Sequence, residues 1–402
     1  MIKGTVAEDK RIESNYKIHL TILIFLLFAG AALYTEEKIS FYVAITGMAV
    51  LVVYIYTIRR ISIIPIVITR VYTWWIVGFY LIIMFNGLFR EIYAPFNLDY
   101  YIFCFIIDLL IIILFSNVPS KISIEIFNKS IVVASLLLCI YIIYNEFHLL
   151  SVGGIRIGES ASGNVNSVAM FLGVSSVISI YKIIYEGKKI YSVPYLVQII
   201  FILLTGSKNG LMFLIVGLVF ISIAKYKLKI YKYAKWILFF LITVTLIIFI
   251  PSLYDLIGMR ITEFLATIGI EIGSANNSHS TERRMEMITV GLSAFLQSPL
   301  IGNGWYYFGE YYGSGGYAHN NYIELLVSYG LLGLVFYYSI FIYLILKLWK
   351  KRNEDGYAIL FLALFITWLI SDNSIVTFYG YTLQYIIIIF GFKVLQHGPK
   401  KV

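Results

Sequence analysis

Apolar runs of about twenty residues recur along the whole chain, each long enough to cross roughly 30 Å of hydrocarbon as a helix. The runs lack the two-residue alternation of barrel strands, so the pattern predicts helices, which satisfy their own backbone in lipid. The expected fold class is therefore an all-α polytopic membrane protein. We place about twelve transmembrane helices, at residues 18–34, 39–57, 71–89, 100–117, 130–148, 164–184, 190–205, 210–224, 236–251, 321–346, 357–371 and 380–396.

One connection is much longer than the others, with about seventy gently polar residues between Pro251 and Asn320, and such loops are usually functional. Within it, the segment that Ser280 would cap and Pro299 would end predicts a helix, on the bundle or in the membrane interface. Its apolar residues at helical spacing form one stripe: Met285, Ile288, Leu292 and Phe295. The chain divides into helices one to five (1–150), helices six to nine (151–251), the loop with its short helices (252–320) and helices ten to twelve (321–402).

Charge supports this topology. Only 13% of the residues are charged, whereas soluble domains have about a quarter. When the connections are assigned alternately to two sides, most of the 31 Lys and Arg residues fall on one side, which predicts that both termini are cytoplasmic. The net charge of +9 is thus mainly a topology signal, and no basic groove with interleaved aromatic residues indicates nucleic-acid binding.

A few cations fall on the opposite, outer side, where membrane insertion disfavours them. Arginine grips phosphate oxygens with two donors, so a cluster of these residues would suit a lipid-linked phosphate or pyrophosphate. Each one alone is also compatible with an ordinary interfacial side chain. The main candidates are Arg90, Arg156, Lys208, Arg260, Arg283 and Arg284.

His319 lies at the start of helix ten, where the positive end of the helix dipole would favour a neutral imidazole, the form that a general base requires. Glu324 follows Asn320 by four residues and Asn321 by three, so these three share a helix face. Either asparagine would alternatively cap the helix. The preceding Gly- and Tyr-rich stretch offers rings that stack on sugar faces, among them Tyr317.

Two more outer elements carry polar groups. The segment GGIRIGESASGNVNS holds Arg156, Asn164 and Asn166 before helix six, and LLTGSKNGLM holds Lys208 in a tight turn between helices seven and eight. A helix cap and a hairpin turn are the alternatives. Asp108 lies in the middle of a span, where a carboxylate is costly and is usually functional or paired. The sequence has no metal-binding motif and no phosphate-binding loop of the ATPase type.

These motifs resemble the O-antigen ligase and polymerase superfamily, in the pattern called Wzy_C, most specifically in the last third of the segment that they cover. The resemblance covers roughly residues 150–345, and TGSKNG resembles the TGSRG element of the family with Lys208 in place of Arg. The matching positions are Pro299, Gly302, Gly304, His319, Asn320, Gly330 and Gly333.

The resemblance implies a helical bundle like those of other lipid-dependent glycosyltransferases, called glycosyltransferase-C-like. It implies a donor linked to undecaprenyl pyrophosphate, a site at the outer face of the bacterial inner membrane, and neither nucleotide, metal nor other cofactor. It also implies that His319, Arg283 and Arg284 are catalytic, and that Arg156, Lys208 and Arg260 bind pyrophosphate. The supporting and substrate-binding residues would be Asn166, Tyr317, Asn320, Asn321 and Glu324.

Three functions stay open. A Wzy-type polymerase would join one lipid-linked glycan to the next repeat unit, for O-antigen or capsule. A ligase would pass the glycan to lipid A-core, and a flippase or exporter would only move lipid-linked sugars. Chain length, the abundance of Tyr and Ile, and Lys208 favour the polymerase, whose pathway partners would include a chain-length regulator and a flippase.

Overall fold

The computed structural model describes residues 2–32, 68–89, 111–112, 114–115, 118–151, 156–161, 164–226, 279–313, 316–378 and 382–397. The predicted spans 39–57 and 236–251, Asp108, Arg90 and Arg260 lie outside these ranges. Regular structure in the described residues is helical throughout, which agrees with the predicted all-α class. The count of about twelve spans and the full extent of the long loop stay predictions.

The helices, numbered among the described residues, follow the apolar runs. Several predicted spans end within a few residues of a helix end, whereas the span predicted at 130–148 belongs to a helix that already begins after Pro119. The bounds are α1 Ile2–Ala32, α2 Ile68–Phe89, α3 Ser120–Glu146, α4 Val165–Ile184, α5 Ser192–Thr205, α6 Lys208–Tyr226, α7 His279–Phe295, α8 Tyr307–Tyr312, α9 Asn321–Lys351, α10 Gly356–Ser371 and α11 Thr382–Gln396.

Four of the described helices, α3, α4, α6 and α9, are long and apolar enough to cross a membrane by length and composition. Helix α4 packs against α3, α5 and α6, while α9 packs against α2, α7, α10 and α11. Inside the bundle, Gln198 on α5 donates to Ser135 on α3 and to Ser175 on α4, at 3.1 and 2.7 Å. Such polar contacts between helices contribute about 0.6 kcal/mol each in lipid. These features fit a helical, multi-pass membrane protein.

The end of the bundle opposite His319 is tied by charged groups. Lys351, the last residue of α9, donates to Val394 O at 2.7 Å and to Leu395 O at 3.3 Å, which satisfies C-terminal carbonyls of α11. Asp355 caps α10 through the Tyr357 amide and contacts His397 Nδ1 at 2.7 Å. The ends of α9, α10 and α11 are thereby joined.

Helix α9 is not the uninterrupted span that the sequence predicted over 321–346. It breaks at Gly330, whose φ of 65° and ψ of −165° are not helical. The break releases backbone groups that a helix would pair, and the loop from Pro299 to Gly304 takes them up. Leu331 N–H donates to Pro299 O at 2.9 Å, and Asn303 N–H donates to Val327 O at 2.8 Å.

Two further bonds complete this crossing, from Leu332 N–H to Leu300 O and from Gly304 N–H to Ser328 O, at 3.1 and 3.2 Å. Helix α2 also holds the loop, because Asn86 Nδ2 donates to Ile301 O at 2.9 Å. Two of the glycines that carried the family resemblance, Gly302 and Gly330, therefore have a structural reason. They let two backbones approach and pair where a membrane helix is broken.

Candidate functional site

His319 lies immediately before α9 and is half-buried. Its φ of 50° is in the left-handed region, and its ring contacts that of Tyr317 with 4.3 Å between centroids. The following residue, Asn320, caps α9. Its side-chain oxygen accepts from Tyr322 N–H at 3.0 Å and from Ile323 N–H at 3.2 Å. The capping role that the sequence allowed for Asn320 is confirmed.

The imidazole of His319 is kept neutral by its surroundings. Its pKa is lowered to about 4, first by burial and then by the positive charges of Arg284 and Arg283. The neutral form was expected from the sequence on the basis of the helix dipole, but burial and the two arginines account for it here. Arg284 is half-buried and Arg283 is exposed, and both lie on α7. The structure thus places His319 within electrostatic range of both arginines.

The first amides of α9 already have partners within the protein. Asn321 N–H donates to Asp372 O at 2.7 Å, the next two amides donate to Asn320, and Glu324 N–H donates to Asn320 O at 3.0 Å. An anion at this position would therefore be held by side-chain cations rather than by the helix terminus. Among these cations is Arg284, whose pKa is lowered by burial.

Glu324 holds the segment that precedes His319. Its buried carboxylate accepts the Ala318 N–H at 2.8 Å, which fixes the peptide just before His319. The side chains of Asn320, Asn321 and Glu324, predicted to share one helix face, thus make three different contacts. Asn320 caps the helix, Glu324 reaches back to the loop, and Asn321 points towards the connection between α10 and α11.

Asp372 is a buried carboxylate that sequence reasoning missed. It accepts from Tyr338 OH at 2.8 Å, from Thr377 Oγ1 at 2.7 Å and from Asn321 Nδ2 at 3.3 Å. Asn321 Oδ1 in turn accepts the N–H groups of Thr377 and Phe378 at 2.7 and 3.1 Å. An acidic residue directly after an apolar run, on the same predicted side as His319, was the signal in the sequence. This network attaches the start of α9 to the α10–α11 connection.

The two other polar elements that the sequence singled out lie against each other. Arg156 donates through Nε to Thr205 O at 2.8 Å and through Nη2 to Asn166 Oδ1 at 3.0 Å. Ser207 Oγ donates to the same Asn166 oxygen at 2.9 Å. Asn164 caps α4 through the Asn166 amide. Arg156 therefore joins the turn after α5 to the start of α4.

This second cluster and the His319 cluster are connected through one loop. Lys208 is the first residue of α6, and the next residue, Asn209, accepts a short hydrogen bond from Ser374 Oγ. Ser374 lies between Asp372 and Thr377, which hold Asn321. Both clusters therefore sit at the same end of the bundle. Arg260 lies outside the described residues and stays a prediction.

The aromatic residues before His319 form two ring pairs. Tyr307 stacks on Tyr311 at 5.7 Å between centroids, and Phe308 stacks on Tyr312 at 5.6 Å. Tyr311 is exposed, whereas Phe308 is buried against α9 and α7. Phe308 thus anchors α8 to α7 and α9, and the other side of α8 presents the exposed ring of Tyr311. In the part of the chain that the structure describes, no three His, Cys, Asp or Glu residues are grouped to hold a metal ion.

Comparison with known protein families gives a match to part of the chain. A family model, Wzy_C, described as O-Antigen ligase, matches residues 193–338. No curated protein matches the chain. The matched segment contains Lys208, Arg283, Arg284, His319 and Glu324, and it ends within α9 after the break at Gly330. Residues 193–338 are therefore similar to the Wzy_C family, which confirms the resemblance to the O-antigen ligase and polymerase superfamily seen in the sequence.

Proposed function

We propose that this protein polymerises oligosaccharide repeat units linked to undecaprenyl pyrophosphate, at the outer face of the bacterial cytoplasmic membrane. It transfers the growing glycan to a sugar hydroxyl of the next lipid-linked unit and releases undecaprenyl pyrophosphate. The proposal rests on a half-buried His319, in ring contact with Tyr317 and within electrostatic range of Arg284, inside the segment that matches the family. In the proposed reaction, the positive charge of Arg284 stabilises the negative charge of the departing undecaprenyl pyrophosphate.

The residues divide the chemistry between them. The acceptor hydroxyl attacks the anomeric carbon of the glycan, and the bond from that carbon to the pyrophosphate oxygen breaks with its electron pair leaving on the oxygen. The unprotonated nitrogen of His319 accepts the hydroxyl proton. Arg284, assisted by Arg283, stabilises the charge that develops on the leaving group, which is often the largest contribution to catalysis. An arginine keeps its charge at any pH of interest, so the two roles do not interfere.

The second cluster supplies charge at the same end of the bundle. Lys208 begins α6 close to the Asn209–Ser374 contact, and Arg156 lies beside Thr205. Two of the Arg156 nitrogens are engaged by the protein, so its part is to hold the turn that carries Lys208 and to add positive potential. The pyrophosphate would lie between the two clusters, with its glycan directed along Tyr311 and Tyr317.

Polymerase and ligase share this donor chemistry and differ in the acceptor. The deciding experiment uses the purified full-length protein in proteoliposomes with a lipid-linked repeat unit, with and without lipid A-core. A polymerase lengthens the lipid-linked glycan when lipid A-core is absent. A ligase leaves the unit unchanged until lipid A-core is added, and that result would overturn the assignment.

A gene deletion gives an independent check in the host. Loss of a polymerase leaves single repeat units on the acceptor, loss of a ligase leaves long chains on the lipid carrier, and loss of a flippase leaves no glycan outside. His319→Asn provides the matched control, because the variant should insert normally and behave like the deletion.

A further inference from the structure

Helix α7 presents three different sides. The packed side consists of Met287, Gly291 and Ala294, which are buried against α9 and α8. The approach is close, since a Cβ on Gly291 would lie 2.2 Å from Cγ2 of Ile323. The stripe that the sequence predicted does not form this packed side, because Met285 and Leu292 are exposed and Ile288 and Phe295 are only partly buried.

The exposed half of α7 is divided by polarity. At about 3.6 residues per turn, Met285, Leu292 and Leu296 project along one edge of the helix and its C-terminal turn. Met285 is 63% exposed and Leu296 is 72% exposed, so the edge exposes large apolar side chains along the length of the helix. The opposite exposed edge is polar throughout and consists of Glu282, Glu286, Thr289 and Ser293.

The apolar edge continues onto the surface of α9. Beyond Leu296 the chain exposes Leu300, which is 64% exposed, and Ile301. Leu300 accepts the Leu332 amide, so this end of the strip lies directly beside the exposed side chains of Leu331 and Leu332. From there the exposed apolar surface runs down α9, a helix long and apolar enough to span a membrane, through Val335, Ile342, Leu346 and Trp349.

We infer that α7 is seated in the interface of the lipid bilayer, on the side of the membrane that carries His319. Its packed side lies on α9. Its apolar edge enters the boundary between headgroups and acyl chains, and its polar edge faces water. The occupant of the apolar face is phospholipid, because that face is continuous with the lipid-facing surface of α9. A helix with this division of faces is typical of interfacial seating.

The seating fixes the depth of the site. Arg284 lies on α7 between the packed side and the apolar edge, so the membrane surface and α9 together set its height relative to the lipid headgroups. A lipid-borne anion would meet Arg284 without leaving the plane of the membrane. The inference depends on α9 crossing the bilayer and not on which reaction the protein performs.

The test measures depth in the full-length protein, reconstituted in phosphatidylcholine nanodiscs. Single cysteines replace Met285, Leu296 and Leu300 on the apolar edge, and Glu286 and Ser293 on the polar edge serve as matched controls. Spin labels on the apolar edge should lie about 5–10 Å below the phosphates and collide with oxygen more than with a water-soluble nickel complex. Labels at the two control positions should show the opposite preference.

Equal exposure of both edges to the nickel complex would overturn the inference, because the apolar strip would then face water. The native Cys104 and Cys139 are changed to alanine for this experiment. A second measurement keeps them: a benzophenone amino acid at Leu296 should crosslink to phosphatidylcholine, and the same group at Ser293 should not. Neither readout uses the transferase reaction, so failure of the seating and failure of the proposed function are separate results.

Discussion

Gly302 and Gly330 face each other where the loop after α7 crosses the break in α9. A Cβ on Gly302 would lie 2.3 Å from Ser328 O, and a Cβ on Gly330 would lie 2.4 Å from the Leu300 carbonyl carbon. Both residues have a positive φ, 76° for Gly302 and 65° for Gly330. Residues other than glycine adopt such values only at a cost in free energy. The contact connects α7, which carries Arg284, to α9, which follows His319.

The first prediction concerns this contact. Gly302→Ala should lower the free energy of unfolding by about 3 kcal/mol or more, because backbone strain adds to a clash with backbone atoms that cannot move aside. Thermal unfolding in detergent measures the change. Gly313→Ala is the matched control, since Gly313 has a φ of 71° but open space around it. That variant should lose only about 1 kcal/mol. Equal losses in the two variants would contradict the steric argument.

A second prediction separates the chemistry of His319 from its backbone. His319→Asn should lower the transfer rate by about 10²- to 10⁴-fold, the usual contribution of a general base. The melting temperature should stay near that of the wild type, because His319 adopts a φ of 50° and asparagine tolerates this region. Initial rates in proteoliposomes and thermal unfolding are the two measurements. A variant with unchanged turnover would remove His319 from the mechanism.

The third prediction is a pH profile. The pKa of His319 is lowered from 6.5 to about 4, so the imidazole stays neutral while the pH falls from 6.5 to about 4. Activity should persist through that window and fall on an acid limb near its lower end. The free energy of unfolding should decrease as the pH falls across the same window, because the unfolded chain takes up a proton that the folded chain does not.

Arg284→Ala should move the acid limb of the normalised rate towards higher pH. Burial, the largest cause of the lowered pKa, remains, so the limb should still lie below 6.5. Arg283→Ala should move it less, since Arg283 is the smaller of the two electrostatic causes and is exposed. A limb that stays in place in both variants would show that the arginines do not act on His319.

A fourth prediction concerns Glu324, whose carboxylate holds the Ala318 amide. Glu324→Ala should leave a buried N–H without an acceptor, which costs about 1–3 kcal/mol, and should lower the rate by loosening the loop before His319. Glu324→Gln keeps an acceptor oxygen in the same place and should retain most of the stability and activity. Equal loss in both variants would indicate that the negative charge, and not the hydrogen bond, is needed.

The fifth prediction tests the role of Arg156. Arg156→Lys keeps the charge but cannot reach Thr205 O and Asn166 together, so it should lower the substrate-free melting temperature. Ser207→Ala removes one hydrogen bond to Asn166 and should cost about 1 kcal/mol. If Arg156→Lys raises the KM for the lipid-linked donor without affecting stability, Arg156 acts on pyrophosphate directly and not through the protein.

Local pattern was enough to predict several of the described helices and where His319 and Arg284 lie relative to them. Hydrophobic runs located α4, α5 and α10 closely, because a membrane helix needs an apolar stretch of fixed length. The position of His319 before α9 and the helix containing Arg284 followed from capping residues and spacing. Contacts that join distant segments were not predictable in this way.

The break at Gly330 is an example, since its backbone partners lie in the loop from Pro299 to Gly304. A glycine within an apolar run is common in membrane helices, so the sequence does not distinguish a break from a packing contact. Asp372 was missed for a similar reason. Its role depends on hydrogen bonds from Asn321 and Tyr338, which lie far from it in the chain. The glycines were noted in the sequence only because their spacing resembles that of a family, and that resemblance did not indicate a break in the helix.

The junction of Lys351, Asp355 and His397 has a mechanical consequence. It fastens the far ends of α9, α10 and α11 into one unit. The near end of α9, divided at Gly330, is held by the loop from Pro299 to Gly304 and, through Asn321, by the α10–α11 connection. Both ends of α9 are thus anchored, and the chain around His319 is presented from a rigid support.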